Sequence, residues 1–318
     1  MRRSTFLKGL TAAAAWPWLQ PANAANAMSI MVPASPGGGW DSTARALGDA
    51  LLSAHEAAIV SYETRSGAAG TIGLAQFAQD RVGDGNALMV MGSVMLGGII
   101  SGKPPVSLSS VTPIARLASE YNVFAVPADS PFTSMAQIIQ QFKKSPASVR
   151  WGGGSRGSTE HITLGLLAQE LGLSTRAINY VPFRGGGEAA AALLSGAVMV
   201  ASSGVSEFLP HITAGRMIPL AVTAPERIDV IPAPTLRELG HPIVFGNWRG
   251  VYGAKGISPA QRDDLIRRVA AAVQSAPWQA ALARYHWSDD FLSGAAFERF
   301  VQVEFKTIAE TMAAAGLN

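Results

Sequence analysis

The chain has 318 residues, among them 25 Lys or Arg, 22 Asp or Glu and 5 His. It has no cysteine, which excludes disulfides and thiolate metal sites. The formal net charge of +3 is too small to indicate a nucleic-acid or anionic-membrane partner.

The N-terminus has the pattern of a secretory signal peptide. Three basic residues precede an apolar stretch at Gly9–Leu19, and Pro21–Ala24 ends in the small-x-small pattern of a cleavage site. The apolar stretch is shorter than the roughly 20 residues that a membrane-spanning helix needs. We predict a signal peptide at residues 1–24, with cleavage after Ala27 as the alternative. The periplasm is the expected location, reached by Sec or Tat export.

Removal of this segment changes the charge balance. The predicted signal peptide holds three of the basic residues and no acidic residue, so the remaining chain carries equal numbers of basic and acidic residues. An acidic ligand must therefore be bound by local groups rather than by a global positive field.

The same local unit recurs along the chain: a short apolar run, a turn rich in Gly or Ser, and a helical pattern. Alternating strands and helices predict an α/β fold with mostly parallel sheet. The predicted strands are Ser29–Val32, Ala58–Glu63, Leu88–Met91, Val149–Trp151, Ile178–Pro182 and Val198–Ser202. The predicted helices are Asp41–Ser53, Thr71–Asp80, Val94–Ile100, Thr159–Leu171, Glu188–Ser195 and Val205–Ala214.

These units fall into two groups, at residues 28–120 and at about 145–220. Two further apolar runs, Asn122–Val126 and Pro219–Thr223, border the second group and are predicted to be crossover strands. Helical patterns at Ser258–Ser275 and Ala295–Ala315 are expected to cover the first sheet.

We therefore predict two α/β lobes joined by a hinge. Lobe one is predicted to comprise residues 25–123 plus 223–318, and lobe two the inserted residues 124–222. A single doubly wound domain is the alternative architecture.

The Gly-rich turns are candidate ligand sites because each lies between a strand end and a helix start. A helix N-terminus presents free N–H groups and a partial positive charge, so it binds anions without Lys or Arg. The predicted ligand-binding residues in lobe one are Gly38, Gly39, Trp40, Asp41, Gly70, Thr71, Gly92 and Ser93. Those in lobe two are Ser155, Gly157, Ser158, Thr159, Arg184, Gly185, Ser203 and Gly204.

Two of these side chains have roles other than amide donation. Asp41 is expected to orient the Gly37–Gly39 loop as a helix cap, and Arg184 could clamp a carboxylate with two hydrogen bonds. For any single turn, the alternative stays open that it is an ordinary tight turn before a capped helix and has no role in ligand binding.

One alternative function comes from the G-x-S-x-G pattern at Gly153–Gly157. It resembles the nucleophile elbow of serine hydrolases, with Ser155 as nucleophile, Asp229 as acid and His241 or His286 as base. No oxyanion motif precedes it, and the other Gly-rich turns would have no role in such an enzyme. No two histidines have metal-ligand spacing, so neither a metal nor a cofactor is expected.

Several stretches resemble the receptors of tripartite tricarboxylate transporters, the Bug-type receptors, and in particular their tricarboxylate branch. The resemblance runs from about Met28 to the C-terminus. The stretches that carry it are Pro36–Asp41 with Thr43–Arg45, Gly67–Gly73, Trp151–Ser155 with Thr159–Ile162, Pro182–Ala189, Ala221–Arg227 and Asn247–Gly250.

The resemblance implies a two-lobed periplasmic solute-binding protein of type II, without enzymatic activity. It implies a small carboxylate ligand, with a citrate-like di- or tricarboxylate expected, and delivery to the membrane permease of a tripartite tricarboxylate-type transporter. A carboxylate sensor for a two-component signalling system is a further alternative. We expect a monomer.

Overall fold

A computed structural model describes residues 26–317, so the predicted signal peptide lies outside the described part of the chain. All six predicted strand–helix units are present. The strands are β1 (Ala27–Val32), β2 (Ile59–Thr64), β3 (Ala87–Gly92), β4 (Val111–Pro127), β5 (Arg150–Gly153), β6 (Asn179–Pro182), β7 (Val200–Gly204), β8 (Met217–Val222), β9 (Gly246–Ala254) and β10 (Ser288–Ser293). The helices are α1 (Gly39–Ser53), α2 (Thr71–Asp80), α3 (Ser93–Gly102), α4 (Met135–Lys144), α5 (Thr159–Glu170), α6 (Gly186–Leu194), α7 (Val205–Thr213), α8 (Pro259–Val273), α9 (Ala276–Tyr285) and α10 (Gly294–Ala314).

The first sheet has the strand order β2–β1–β3–β9–β4, with β10 also paired to β4. β1 pairs in parallel with β2 and β3, whereas β9 is antiparallel to β3 and β4. Leu265 and Val269 of α8 and Ile308 and Met312 of α10 are buried in its core. The C-terminal helices therefore cover the first sheet, as predicted.

The second sheet is built from β4, β5, β6, β7 and β8. β5 is parallel to β6 and β7, and β4 is antiparallel to β7 and β8. Parallel pairing thus links the strands that precede helices, because a crossover helix returns the chain in the same direction. Every antiparallel pair among the described strands includes β4 or β9.

β4 is shared by the two sheets. Tyr121 pairs with Gly246 in the first sheet, and the next residue, Asn122, pairs with Gly204 in the second. The predicted crossover at Asn122–Val126 is therefore part of a longer strand. The other predicted crossover, at Pro219–Thr223, is wrong: β8 pairs with the second-sheet part of β4, and its Val222 also bridges Thr235, whereas the chain returns to the first sheet through β9.

The lobe boundaries are a proposal that the packing refines. Residues of the segment between β8 and β9 are buried in the cores beside the second sheet: Ala224, Ile231, Ala233, Leu236 and Ile243. We propose that lobe two extends from about residue 122 to about 245, rather than ending at 222, because this segment has its apolar side chains there.

The helices differ in whether a side chain caps their N-termini. α4 and α8 begin with capping boxes, formed by Ser134 with Gln137 and by Ser258 with Gln261. In contrast, α1, α2, α3, α6 and α7 begin after a glycine and have no side-chain cap. Their first amide groups are therefore available to other partners. No helix in residues 26–317 has the length and apolarity to cross a membrane.

Candidate functional site

A cleft separates the two lobes at the ends where strands give way to helices. It encloses a cavity of about 80 Å³. Lobe one contributes Pro33, Ala34, Gly38, Gly39, Trp40, Gly67, Ala69, Gly70, Val94, Asn247 and Arg249. Lobe two contributes Gly154, Ser155, Ser158, Glu160, Arg184, Gly185, Gly186 and Glu207.

The loop before α1 is held by Asp41. Its Oδ2 accepts hydrogen bonds from the amide of Gly37 (2.9 Å) and from Nε of Arg45 (3.0 Å). Asp41 is buried and does not line the cavity. It contacts the loop that it was predicted to orient, but it does not cap α1, because the N-cap residue is Gly38 and has no side-chain cap. The amide of Gly39 points across the cleft.

That amide meets a carboxylate of the opposite lobe. Oε1 of Glu207 accepts hydrogen bonds from the amides of Gly39 and Gly186, each at 3.2 Å, and Oε2 accepts from Oγ of Ser203 at 2.6 Å. Burial raises the pKa of Glu207, and these hydrogen bonds act in the opposite direction. Glu207 therefore occupies the position at the starts of α1 and α6 that the sequence assigns to a ligand anion.

A buried ion pair closes the hinge side of the cleft. The guanidinium of Arg249 contacts the carboxylate of Glu120, and Glu120 also accepts a hydrogen bond from Oγ of Ser206 at 2.7 Å. The guanidinium carbon of Arg249 lies 5.2 Å from the ring centre of Trp287, in cation–π geometry. Arg249 and Glu120 are 3% and 0% exposed, so their charges must compensate each other.

Glu160, in the first turn of α5, is the second carboxylate of the cleft. It is 6% exposed, and its Oε2 has no hydrogen-bond partner among the described residues. Burial raises the pKa of this carboxyl group, the nearby hydroxyl of Ser158 and the amide of Glu160 act in the opposite direction, and the negative charge of Glu207 adds a smaller upward shift. Oδ1 of Asn247, a further cleft residue, is also buried without a partner there.

Half of the predicted ligand-binding residues line the cavity: Gly38, Gly39, Trp40, Gly70, Ser155, Ser158, Arg184 and Gly185. The other half lie outside its lining: Asp41, Thr71, Gly92, Ser93, Gly157, Thr159, Ser203 and Gly204. Arg184 is at the rim, where its exposed side chain pairs with Glu188 at 3.1 Å.

The predicted residues outside the lining have partners within the protein. Oγ of Ser93 accepts from the amide of Trp248 (3.2 Å), and Oγ1 of Thr159 accepts from Nδ2 of Asn122 (2.9 Å). The amide of Gly157 donates to Nδ1 of His161 (3.1 Å). These groups hold the loops in place, because a buried donor or acceptor that already has a partner has little left to offer a ligand.

The sequence prediction missed four polar residues of the cleft: Glu160, Glu207, Asn247 and Arg249. A sequence signal existed for the two acids, since each lies in the first helical turn after a Gly- or Ser-rich turn. That position favours a carboxylate next to free amides.

Within residues 26–317, no group of three His, Asp or Glu residues is placed to hold a metal ion. His241, one proposed base for Ser155, pairs instead with Glu170, with 2.6 Å between Nδ1 and Oε2.

Comparison with known proteins gives consistent matches. Residues 44–315 match the family described as tripartite tricarboxylate transporter family receptor. Protein BugT of Bordetella pertussis is 29% identical over 256 residues, which cover 79% of this chain and 77% of BugT. The structure of the periplasmic binding protein BugD aligns with a TM-score of 0.79 at 23% identity, over 92% of this chain and 98% of BugD.

MatC of Rhodopseudomonas palustris, solved with bound malate, aligns with the same TM-score of 0.79 at 21% identity, over 91% of this chain and 98% of MatC. The α/β fold with two lobes around a cleft is therefore that of periplasmic binding proteins. Because the family match covers most of the sequence, the chain belongs to the receptor family of tripartite tricarboxylate transporters.

Proposed function

We propose that this protein is a periplasmic receptor that binds a small carboxylate and delivers it to the membrane permease of a tripartite tricarboxylate-type transporter. The observation that carries the proposal is the cleft, where residues from the starts of α1, α2, α5 and α6 meet. Free backbone amides at helix starts are suited to an anionic group.

Family membership and the solved relatives support the same ligand class. MatC was solved with malate, a hydroxy dicarboxylate. The sequence resemblance implies a citrate-like di- or tricarboxylate, and this narrower assignment stays part of the proposal. So do the monomeric state and the periplasmic location.

Binding in this proposal depends on closure of the lobes. The cavity has walls from both lobes, so a ligand that contacts both binds the closed form better and shifts the hinge equilibrium towards it. Ser155, Ser158 and the amide of Gly185 are the lobe-two donors that line the cavity, and Arg184 lies at its entrance.

Hydrolysis through Ser155 is not part of this function. The chain belongs to a receptor family, and receptors of this kind are solute-binding proteins rather than enzymes. Neither of the two expected bases, His241 and His286, is hydrogen-bonded to Ser155 in the described residues, and His241 contacts Glu170 instead. The hydrolase alternative is therefore wrong.

A thermal-shift screen tests the proposal. The full chain is expressed with its own N-terminus and purified from the periplasmic fraction, and intact mass gives the cleavage site. The panel contains di- and tricarboxylates, aromatic acids and amino acids. A ligand at 100 times its Kd stabilises the folded state by about 2.7 kcal/mol, which raises Tm measurably.

A shift with a carboxylate that is recovered chemically unchanged supports the receptor. The absence of a shift with every acid contradicts carboxylate binding. The permease step is tested separately: deletion of the receptor is expected to abolish uptake of the radiolabelled ligand by cells, and undiminished uptake contradicts delivery.

A further inference from the structure

The buried polar side-chain atoms of the cleft that lack partners are all acceptors. Oε2 of Glu160 and Oδ1 of Asn247 are without a hydrogen bond in the described structure, and both residues are more than nine-tenths buried and line the cavity. A buried acceptor without a donor is costly, so in a native site it indicates a missing partner.

The strongest donors around the same cavity are already engaged by the protein's own acids. The amides of Gly39 and Gly186 donate to Glu207, as described above. The guanidinium of Arg249 is paired with Glu120, and that of Arg184 with Glu188. The donors that remain for a ligand are Ser155, Ser158 and the amide of Gly185, and every arginine that lines the cavity in the described structure is already paired with an acid.

The balance of charge points the same way. Glu160 and Glu207 are the two cavity-lining acids, and neither forms an ion pair with Arg or Lys in the described structure. The charge of Glu207 is close enough to raise the pKa of Glu160. A cationic group of the ligand beside these two acids would compensate them, whereas a third carboxylate there would be repelled, so this inference narrows the di- or tricarboxylate of the proposed function to an amino-substituted carboxylate.

We propose that Glu160 and Asn247 form an ammonium-binding subsite at the inner end of the cleft, so that the preferred ligand is an amino-substituted carboxylate. This inference rests on the proposed function as a carboxylate receptor. An ammonium group fits better than a hydroxyl group because it has three donors and a positive charge. The ligand carboxylate then lies towards Ser155 and Arg184, where donors line the outer part of the cavity.

Matched acids that differ only in the amino group test the subsite by isothermal titration calorimetry. The pairs are L-aspartate with succinate, L-glutamate with glutarate, and 4-aminobutyrate with butyrate. We expect the amino acid of at least one pair to bind at least tenfold tighter than its parent acid. If every parent acid binds as tightly as its amino partner, or a carboxylate without an amino group binds tighter than every amino acid in the thermal-shift screen, the proposal is overturned.

The variant E160Q tests the assignment to Glu160. It keeps the shape of the side chain but removes its charge, so we expect it to lower the preference for the amino acid at least tenfold while the parent acid binds at least as well as before. The control variant E226Q, at an exposed acid outside the cavity lining, should leave the preference unchanged. An unchanged preference in E160Q overturns the subsite.

The two proposals fail in different ways. Binding of parent acids alone contradicts the ammonium subsite and supports the carboxylate receptor. If no carboxylate of any kind binds, the proposed function itself is contradicted. The comparison within pairs uses the unmodified protein, so it stands even if E160Q does not fold.

Discussion

The carboxylate of Glu207 accepts a hydrogen bond from the amide of Gly39 at 3.2 Å, across 168 positions of sequence and across the cleft between the lobes. The same oxygen accepts from the amide of Gly186 in its own lobe. A protein carboxylate thus joins two helix starts that would otherwise both present free donors to the cavity.

Removal of the Glu207 carboxylate should destabilise the protein. In E207A, the amides of Gly39 and Gly186 and the hydroxyl of Ser203 lose a charged acceptor, so we expect the free energy of unfolding to fall by about 2–3 kcal/mol. E207Q keeps one acceptor oxygen and should lose less. Urea denaturation followed by circular dichroism measures both variants. The exposed Glu226 provides the control E226A, expected within about 0.5 kcal/mol of wild type. Equal stability of E207A and E226A would show that Glu207 does not hold the lobes.

Removal of one partner from the buried ion pair of Arg249 and Glu120 should lower the free energy of unfolding more than removal of Glu207. E120A leaves the guanidinium buried without a counter-charge, so we expect a loss of about 3–5 kcal/mol. The double variant E120L/R249M should lose less than E120A, because it leaves no buried charge. Chemical denaturation of the three proteins gives this comparison.

The control for this pair is E310A. Glu310 forms an exposed ion pair with Lys306 at 3.8 Å, and such pairs contribute at most about 1 kcal/mol. A double variant that is less stable than E120A would contradict the role of charge compensation.

Closure of the cleft should be sensitive to one methyl group at Gly97. A Cβ atom at this position of α3 would overlap the carbonyl oxygen of Gly157 in the opposite lobe. Overpacking costs about 1–3 kcal/mol, and because the contact crosses the cleft, opening relieves it. We therefore expect G97A to bind its carboxylate about tenfold more weakly or worse, since a smaller fraction of the protein is closed.

The matched glycine is Gly187, in the first turn of α6, where a Cβ would meet nothing within 4 Å. G187A should bind as the wild type does. Calorimetry gives the affinities, and small-angle X-ray scattering should show a larger radius of gyration for ligand-bound G97A than for ligand-bound G187A. Unchanged affinity in G97A would argue that the lobes do not approach here during binding.

Histidine 161 should make the stability depend on pH in the mildly acidic range. Its Nδ1 accepts a hydrogen bond from the amide of Gly157, and burial, together with the charge of Arg156, lowers its pKa from 6.5 to about 4. The folded state thus favours the neutral ring. Its contribution is fully present above pH 6.5 and is lost as the pH falls towards 4, because the unfolded chain binds a proton first.

The contribution of His161 to the free energy of unfolding that is lost between pH 6.5 and pH 4 corresponds to roughly 3 kcal/mol. We expect H161Q to lose less stability than the wild type between pH 7 and pH 4, as measured by urea denaturation at each pH. H55Q, at an exposed histidine, should keep the wild-type dependence. The same pH dependence in H161Q and wild type would exclude His161 as its source.

Much of the local structure could be predicted because it depends on short-range interactions. The predicted α2, Thr71–Asp80, has the observed bounds. Ser158 and the glycines at positions 38, 70, 185 and 204 all precede helices, as the turn chemistry indicates. The order of these units along the chain was enough to predict an α/β fold.

Other features could not be predicted because they depend on residues distant in sequence. The return of the chain through β9 rather than β8 depends on pairing with β4. The segment between β8 and β9 carries Leu236 and Ile243, whose side chains fit the core of the second lobe, and no local pattern indicates which lobe they join.

The sequence by itself determined, to within a few residues, where the helices begin, because backbone conformation at a helix start is decided by nearby residues. Only the tertiary structure decided which groups meet those helix starts. The amides of Gly39 and Gly186 face Glu207, and Arg249 faces Glu120, because the packing of two lobes around β4 brings them together. Local rules predicted a place for an anion, and long-range packing filled part of that place with an acid of the protein itself.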